Sequence, residues 1–282
     1  MTGSVLPRGR SLSRSRTSFH SVWTSLRKHS LLTTYVSLLV LIPFAALVSN
    51  AFSSGVSGFF AALTQPECVR ALTLTMGCAT FATVVNAVMG TMIAWLLVRD
   101  DFRGKRIIEA VIDIPFALPT IVAGVTLMTL LGPHSPIHLS LANTWGGIVV
   151  ALLFVTLPFT VRTVEPVLEA MSTAPEMAAQ TLGASSWRTF CTIALPSLTP
   201  AILTGAGLSF ARAVGEFGSV VFISGNRPFH TEVASSYIFM LSQSQNFTGA
   251  AAVSVLLLVI AITVLTVFAI LSRRLTTRLG NA

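Results

Sequence analysis

Charge is what this sequence has least of. Of its 282 residues only 10% are Asp, Glu, Lys or Arg, where a soluble domain carries about 25%. That scarcity excludes a water-facing surface over most of the chain. Cysteine is scarce too. Cys68, Cys78 and Cys191 have no metal-ligand spacing, and no disulfide framework is expected. There is no G-x-x-x-x-G-K-[ST] segment: Gly104-Lys105 lacks the upstream glycine, so the chain is not expected to cradle nucleotide phosphates itself. H-E-x-x-H and G-x-S-x-G are absent as well, which removes the zinc-peptidase and serine-hydrolase classes. His134 and His138 flank Pro136 on a connection and read as solvated loop histidines, so neither a metal nor a cofactor is expected.

What the chain has instead is apolar sequence: 53% hydrophobic residues and a mean hydropathy of +0.78. A helix needs roughly 20 apolar residues to cross a bilayer. The runs predict six helical spans, at 31–52, 69–98, 107–131, 145–164, 197–224 and 248–272. The fold class is therefore all-α, a polytopic membrane protein in lipid. Residues 1–30 read as a basic disordered tail, 31–275 as the six-span domain and 276–282 as a second tail. The first run is too long for a signal-peptide core and reads as an uncleaved anchor. Pro115, Pro119 and Pro158 fall inside spans, as ordinary kinks or as hinges.

The net charge of +8 follows topology rather than nucleic acid, which is not an expected partner. Lysine and arginine gather on the cytoplasmic side of membrane proteins. The N-tail, the 99–106 connection, Arg162, Arg188 and the C-tail hold most of them, whereas the other side holds Arg70 and Arg227. Both termini are thus expected in the cytoplasm, together with the loop 165–196.

That loop is rich in signals. Thr173-Ala-Pro-Glu176 has the capping-box form, in which Thr173 and Glu176 bond each other's backbone N–H. Helix formers follow up to Gly183, placed to take the left-handed conformation that ends a helix. Ser185 or Ser186 caps a second short helix through Trp187, Phe190 and Ile193, and Pro196 stops it. A helix–turn–helix this apolar either lies on the membrane surface or docks into a soluble partner.

Glu176-Met177-Ala178-Ala179, then Gly183, then Ile193-Ala-Leu195-Pro196, resembles the "EAA" loop of ABC importer permeases. The family's usual glutamate is Met177 here, with Glu176 one position earlier. Three further segments, DIPFALPTIVAGVTLMTLLG, LPFTVRTVEPVLEAM and ARAVGEFGSVVFISGN, resemble the sulfate/thiosulfate permeases of that family, the T-type subunit most closely, and the molybdate ones less. The resemblance covers about 30–275. It implies a type I, MetI-like fold in which the hairpin 173–196 is the coupling element. It implies two ATP-binding subunits that hydrolyse ATP, a homologous second permease subunit and an extracytoplasmic sulfate-binding protein in a bacterial inner membrane. The chain is then not itself an enzyme but half of a sulfate or thiosulfate path. The alternatives are another oxyanion such as molybdate, or an ATPase-independent channel or scaffold.

Two charges interrupt the fifth apolar run, Arg212 and Glu216. Four residues apart, they are expected to pair on one helix. An intramembrane charge costs at least about 2.5–3.5 kcal/mol on insertion scales. The pair reads either as a structural ion pair or as a positive charge shown to a passing anion. Gly207, Ala211, Gly215 and Ser219 form the neighbouring stripe of small residues, the pattern that lets membrane helices approach closely.

Overall fold

A computed structural model describes residues 33–280, with side chains up to residue 277. The 1–30 tail lies outside the described residues. The chain divides into two compact units after Leu47. The helix α1 (Thr33–Ala51) is long and apolar enough to cross a membrane and contains a π-turn at Ser37–Leu41. Leu38, Leu41 and Ile42 on it are exposed.

From Val48 on, the described residues of the second unit form helices joined by turns and loops, with no strand among them. α2 (Gly55–Leu63) precedes α3 (Pro66–Arg99), whose 34 residues make a rod about 51 Å long. α4 (Lys105–Ala117) and α5 (Thr120–Leu131) follow, then α6 (Trp145–Ala170), the short α7 (Ala174–Thr181) and α8 (Ser186–Val214). α9 (Gly218–Ser224), α10 (Ala234–Gln243) and α11 (Phe247–Gly280) complete the unit. Five helices of the described chain, α1, α3, α6, α8 and α11, are long and apolar enough to span.

Two of the six expected spans are broken. The run at 107–131 is the pair α4 and α5, bent by 115°. Leu118 takes an extended conformation (ψ 133°) before Pro119, as the residue before a proline must when the helical region is closed to it. The run at 197–224 breaks at Gly215–Phe217, so α8 ends at Val214 and α9 starts afresh at Gly218. α2 and α10 sit in stretches expected to be connections.

The core is where α3, α6 and α8 cross. Small residues set the spacing: a Cβ on Gly90 would stand 2.9 Å from Thr160 Cβ, and one on Gly205 would stand 2.9 Å from Thr160 Cα. A buried polar belt ties the same helices. Asn86 donates to the Leu153 carbonyl (3.1 Å) and Thr156 Oγ1 (2.9 Å), and Ser209 donates to the Thr156 carbonyl (3.1 Å). Such bonds have no competing water in lipid, though each adds only about 0.6 kcal/mol on average. α9 lies on α5 just as closely: a Cβ on Gly124 would reach 2.8 Å from the Ser219 carbonyl, and Gly218 abuts Thr120.

This packing corrects the small-residue stripe. Gly207 does face another helix, with its missing Cβ 3.0 Å from Phe268 Cβ on α11. Gly215 lies at the C-cap of α8 and Ser219 on α9, so the four positions are not one helix face. Gly205, two positions from Gly207, makes the tighter approach.

Candidate functional site: a hairpin node and a buried ion pair

The hairpin starts differently from the expected capping box. Thr173 makes no side-chain cap bond; Ser172 Oγ accepts from the Ala174 N–H instead, at 3.3 Å. Glu176 has been claimed by a residue 77 positions earlier. Arg99, the last residue of α3, donates through Nη2 to Oε1 (2.8 Å) and through Nε to Oε2 (3.2 Å). This is the two-pronged geometry in which arginine binds carboxylate best.

The turn is as the sequence predicts. Gly183 has φ +88°, its N–H bonds the Gln180 carbonyl at 2.9 Å, and the Ala184 N–H bonds the Ala179 carbonyl at 3.0 Å. Those two bonds make a Schellman motif, which ends α7 and needs a left-handed residue at that position. Ser185 Oγ then accepts from the Arg188 N–H at 3.3 Å and caps α8. Pro196 does not stop that helix. α8 runs through it, with a π-turn at Phe190–Ala194 directly ahead. The wider turn takes up the lost N–H and the bulk of the ring.

The hairpin's surface divides sharply. Met177, Leu182 and Trp187 point outward, Leu182 being 88% and Trp187 71% exposed. Ala178 and Gly183 are exposed as well; Ala179, Ile193 and Leu195 are half-buried, while Pro196 is exposed. Glu176 is buried.

Arg212 and Glu216 pair at 2.5 Å between Nη1 and Oε2. They do so across the end of α8, not along one helix, because Glu216 lies in the break. Glu216 Oε1 accepts from the Ser219 N–H (2.9 Å) and Ser219 Oγ (2.8 Å), so the carboxylate also caps α9. Its side chain is 1% exposed against 33% for Arg212. Arg162 of α6, read from sequence only as a topological charge, holds Asp113 of α4 through Nε and Nη2 and Glu165 through Nη1. This staple fixes the bent α4–α5 pair onto α6.

On the loop between α9 and α10, Glu232 is buried, and its Oε2 has no partner among the described residues. Burial, and secondarily the charge of Glu67, push its carboxyl up to about 7. Among the described residues no group of three His, Cys, Asp or Glu is placed to hold a metal.

Sequence reasoning missed Arg99, Arg162 and Asp113. For Arg99 and Arg162 a charge near the end of an apolar run was the available signal, but it was absorbed into the count that sets orientation; Asp113, inside the third run, had no place in that count.

Residues 86–278 match the model of the family described as "Binding-protein-dependent transport system inner membrane component". The chain is 40% identical over 231 residues to the sulfate transport system permease protein CysT of Escherichia coli (strain K12), covering 79% of this chain and 83% of that one. It is 42% identical over 235 residues to the probable sulfate transport system permease protein cysT of Chlorokybus atmophyticus, covering 81% and 82%. Among solved structures, a bacterial alginate ABC transporter in complex with a pentasaccharide-bound periplasmic protein superposes with a TM-score of 0.77 at 17% identity, over 94% of this chain and 99% of that one. The MetNI methionine ABC transporter in an inward-facing form gives 0.57 at 18%, over 73% and 95%.

Proposed function

Because the chain belongs to the binding-protein-dependent transport system inner membrane components, we propose that it forms half of the path by which an ATP-driven importer carries sulfate across a bacterial inner membrane. The observation that carries the substrate is the 40% identity to a sulfate permease across 79% of the chain. ATP hydrolysis falls to two partner subunits, a homologous permease supplies the other half of the path, and an extracytoplasmic sulfate-binding protein delivers the anion. Both termini and the hairpin face the cytoplasm.

Within this reading the outward hairpin residues Met177, Ala178, Leu182 and Trp187 meet the ATP-binding subunit. The half-buried Ala179, Ile193 and Leu195 seat the hairpin on the bundle, Pro196 lies at its exposed edge, and Gly183 sets the turn between its arms. Arg212 shows positive charge to the passing dianion. Its geometry supports this: Nη1 is engaged by Glu216, whereas a guanidinium carries five N–H donors, and its Nε and Nη2 have no partner among the described residues. Glu216 holds the guanidinium in place and, by partial neutralisation, keeps the anion from being trapped.

The test is ATP hydrolysis by the reconstituted complex. Addition of a sulfate-loaded binding protein should stimulate it, and a molybdate-loaded one should not. Equal stimulation by both would remove sulfate as the specific substrate. The mass of the detergent-purified complex should correspond to two permease and two ATP-binding subunits, and a monomer that transports by itself would refute the assembly.

A further inference from the structure

We propose that Arg99 and Glu176 are positioning residues that bind the hairpin and the long helix α3 into one moving body. A push on the hairpin then reaches the span instead of being absorbed in the loop. The proposal rests on the transport reading above and concerns how that motion is delivered.

Glu176 is badly placed to touch another protein. Its side chain is 9% exposed and that of Arg99 is 13% exposed. Both carboxylate oxygens are spent on Arg99. The guanidinium is spent in turn: beyond Glu176 it reaches the Leu168 carbonyl through Nη1 (3.2 Å) and the Met171 carbonyl through Nη2 (3.5 Å). Those carbonyls lie at the C-terminal end of α6, where the helix dipole favours a cation; the Leu168 carbonyl also accepts from the Met171 N–H at 3.3 Å. One side chain from α3 therefore holds the end of α6 and the start of α7 together.

The second arm of the hairpin is tied to the same place. Arg99 Cζ lies 5.6 Å from the Trp95 ring, and Trp95 packs edge-on against Phe190 at 5.0 Å, in the π-turn of α8. Phe190 stacks with Trp187 at 5.8 Å. Both arms thus converge on the last two turns of α3. Met177 and Leu182, and Trp187 despite its stacking on Phe190, remain exposed, leaving the partner contact to apolar side chains.

A buried pair of this kind is costly to halve, because the remaining charge is left without a partner. Lysine is no replacement for Arg99, since a single ammonium cannot fork onto the carboxylate and reach two carbonyls as well. The variants that test the proposal are Glu176→Gln, which keeps the shape, and Arg99→Lys, which keeps the charge.

Complexes carrying each variant are purified with their ATP-binding subunits and reconstituted into phospholipid vesicles. Both should assemble and hydrolyse ATP within about twofold of the unaltered complex, while sulfate imported per ATP falls at least about tenfold because the stroke is lost in the joint. Backbone amides of 174–194 should exchange with deuterium about tenfold faster as the joint opens locally. An unchanged ratio of sulfate to ATP, with unchanged exchange, overturns the proposal. Loss of the ATP-binding subunits from the Glu176→Gln complex with exchange unchanged also overturns it, and makes Glu176 a docking contact. Disappearance of both variants from the membrane overturns it too, since a role in folding then suffices. If the unaltered vesicles import no sulfate, the transport reading fails by itself, and the exchange measurement alone decides the joint.

Discussion

Among the described residues two Arg–Glu pairs join the end of a long helix to a short one, each around a buried glutamate, and they are built to opposite specifications. At the hairpin, Arg99 makes four bonds, two to Glu176 and two to backbone carbonyls. At the break between α8 and α9, Arg212 makes one ion contact, to Glu216 Oε2, which has no hydrogen bond among the described residues, while Ser219 bonds Oε1 twice. The first pair has a satisfied arginine in a closed site. The second has an arginine a third exposed with donors to spare. A saturated guanidinium fixes parts relative to one another. An unsaturated one at the edge of a polar break is suited to meet an anion.

The comparison is broken most directly at Arg212. Arg212→Gln should lower sulfate uptake by about two orders of magnitude, as loss of a hydrogen bond to a charged group does. Arg212→Gln with Glu216→Gln should not recover it. Were the pair only structural, removing both charges would relieve the unpaired carboxylate and restore much of the uptake at matched membrane abundance, and that recovery would sink the anion role.

At the hairpin the corresponding lever is Gly183. No atom lies within 4 Å of its absent Cβ, so Gly183→Val acts through backbone strain alone, about 1–2 kcal/mol at φ +88° and more for a β-branched side chain. Uptake should fall about tenfold with the protein still in the membrane. Gly183→Asn, which tolerates the left-handed region, should retain most of it. Equal uptake by the valine variant would show that the turn's shape is immaterial.

Smaller effects come from two glycines, Gly205 at the helix crossing and Gly215 at the C-cap of α8 beside Glu216. Gly205→Ala places a methyl against the Thr160 backbone and should cost about 1–3 kcal/mol in thermal or denaturant stability, as overpacking does. Gly215→Ala meets only the Ala211 carbonyl at 3.8 Å and should stay within about 0.5 kcal/mol. A reversal of that order would restore the four-residue stripe as the packing face.

Smallest is the buried glutamate with no arginine. Glu232 keeps its proton up to about 7 in the fold, against a usual value of 4.5. Between those values the folded chain holds a proton that the unfolded chain has released, so stability falls as pH rises through that window and levels off above it. Melting temperatures of the purified protein at about pH 5 and about pH 8 should differ less for Glu232→Gln than for the unaltered chain. An unchanged difference would show that Glu232 is ionised normally.

The apolar runs made α3, α6 and α11 legible, because one long helix leaves one long run. Hydropathy is blind to direction, so the runs alone did not show the bends. Pro119 was legible as a kink or hinge and does stand at the 115° bend, whereas Pro115 and Pro158 sit inside continuous helices and Gly215 was read only as a packing residue, so the restart at Gly218 had no sequence signal. The hairpin's turn was legible at Gly183 because that signal is local. Glu176 was misread because its partner is 77 residues away, and a four-residue motif supplied a nearer one. Pro196 was misread because whether a proline ends a helix depends on the turn before it, and the π-turn at Phe190–Ala194 has no sequence mark of its own.

That π-turn leaves α8 continuous from Ser186 to Val214. Arg212 therefore rides near the far tip of a rod whose base is the hairpin, about 39 Å away at 1.5 Å per residue. Leverage follows from the length alone: a tilt of about 5° at the base sweeps the guanidinium sideways by about 3 Å, roughly the length of one hydrogen bond. A rocking motion too slight to unpack the bundle is enough to make or break a contact with an ion, and the proline that looked like a terminus lies inside the lever.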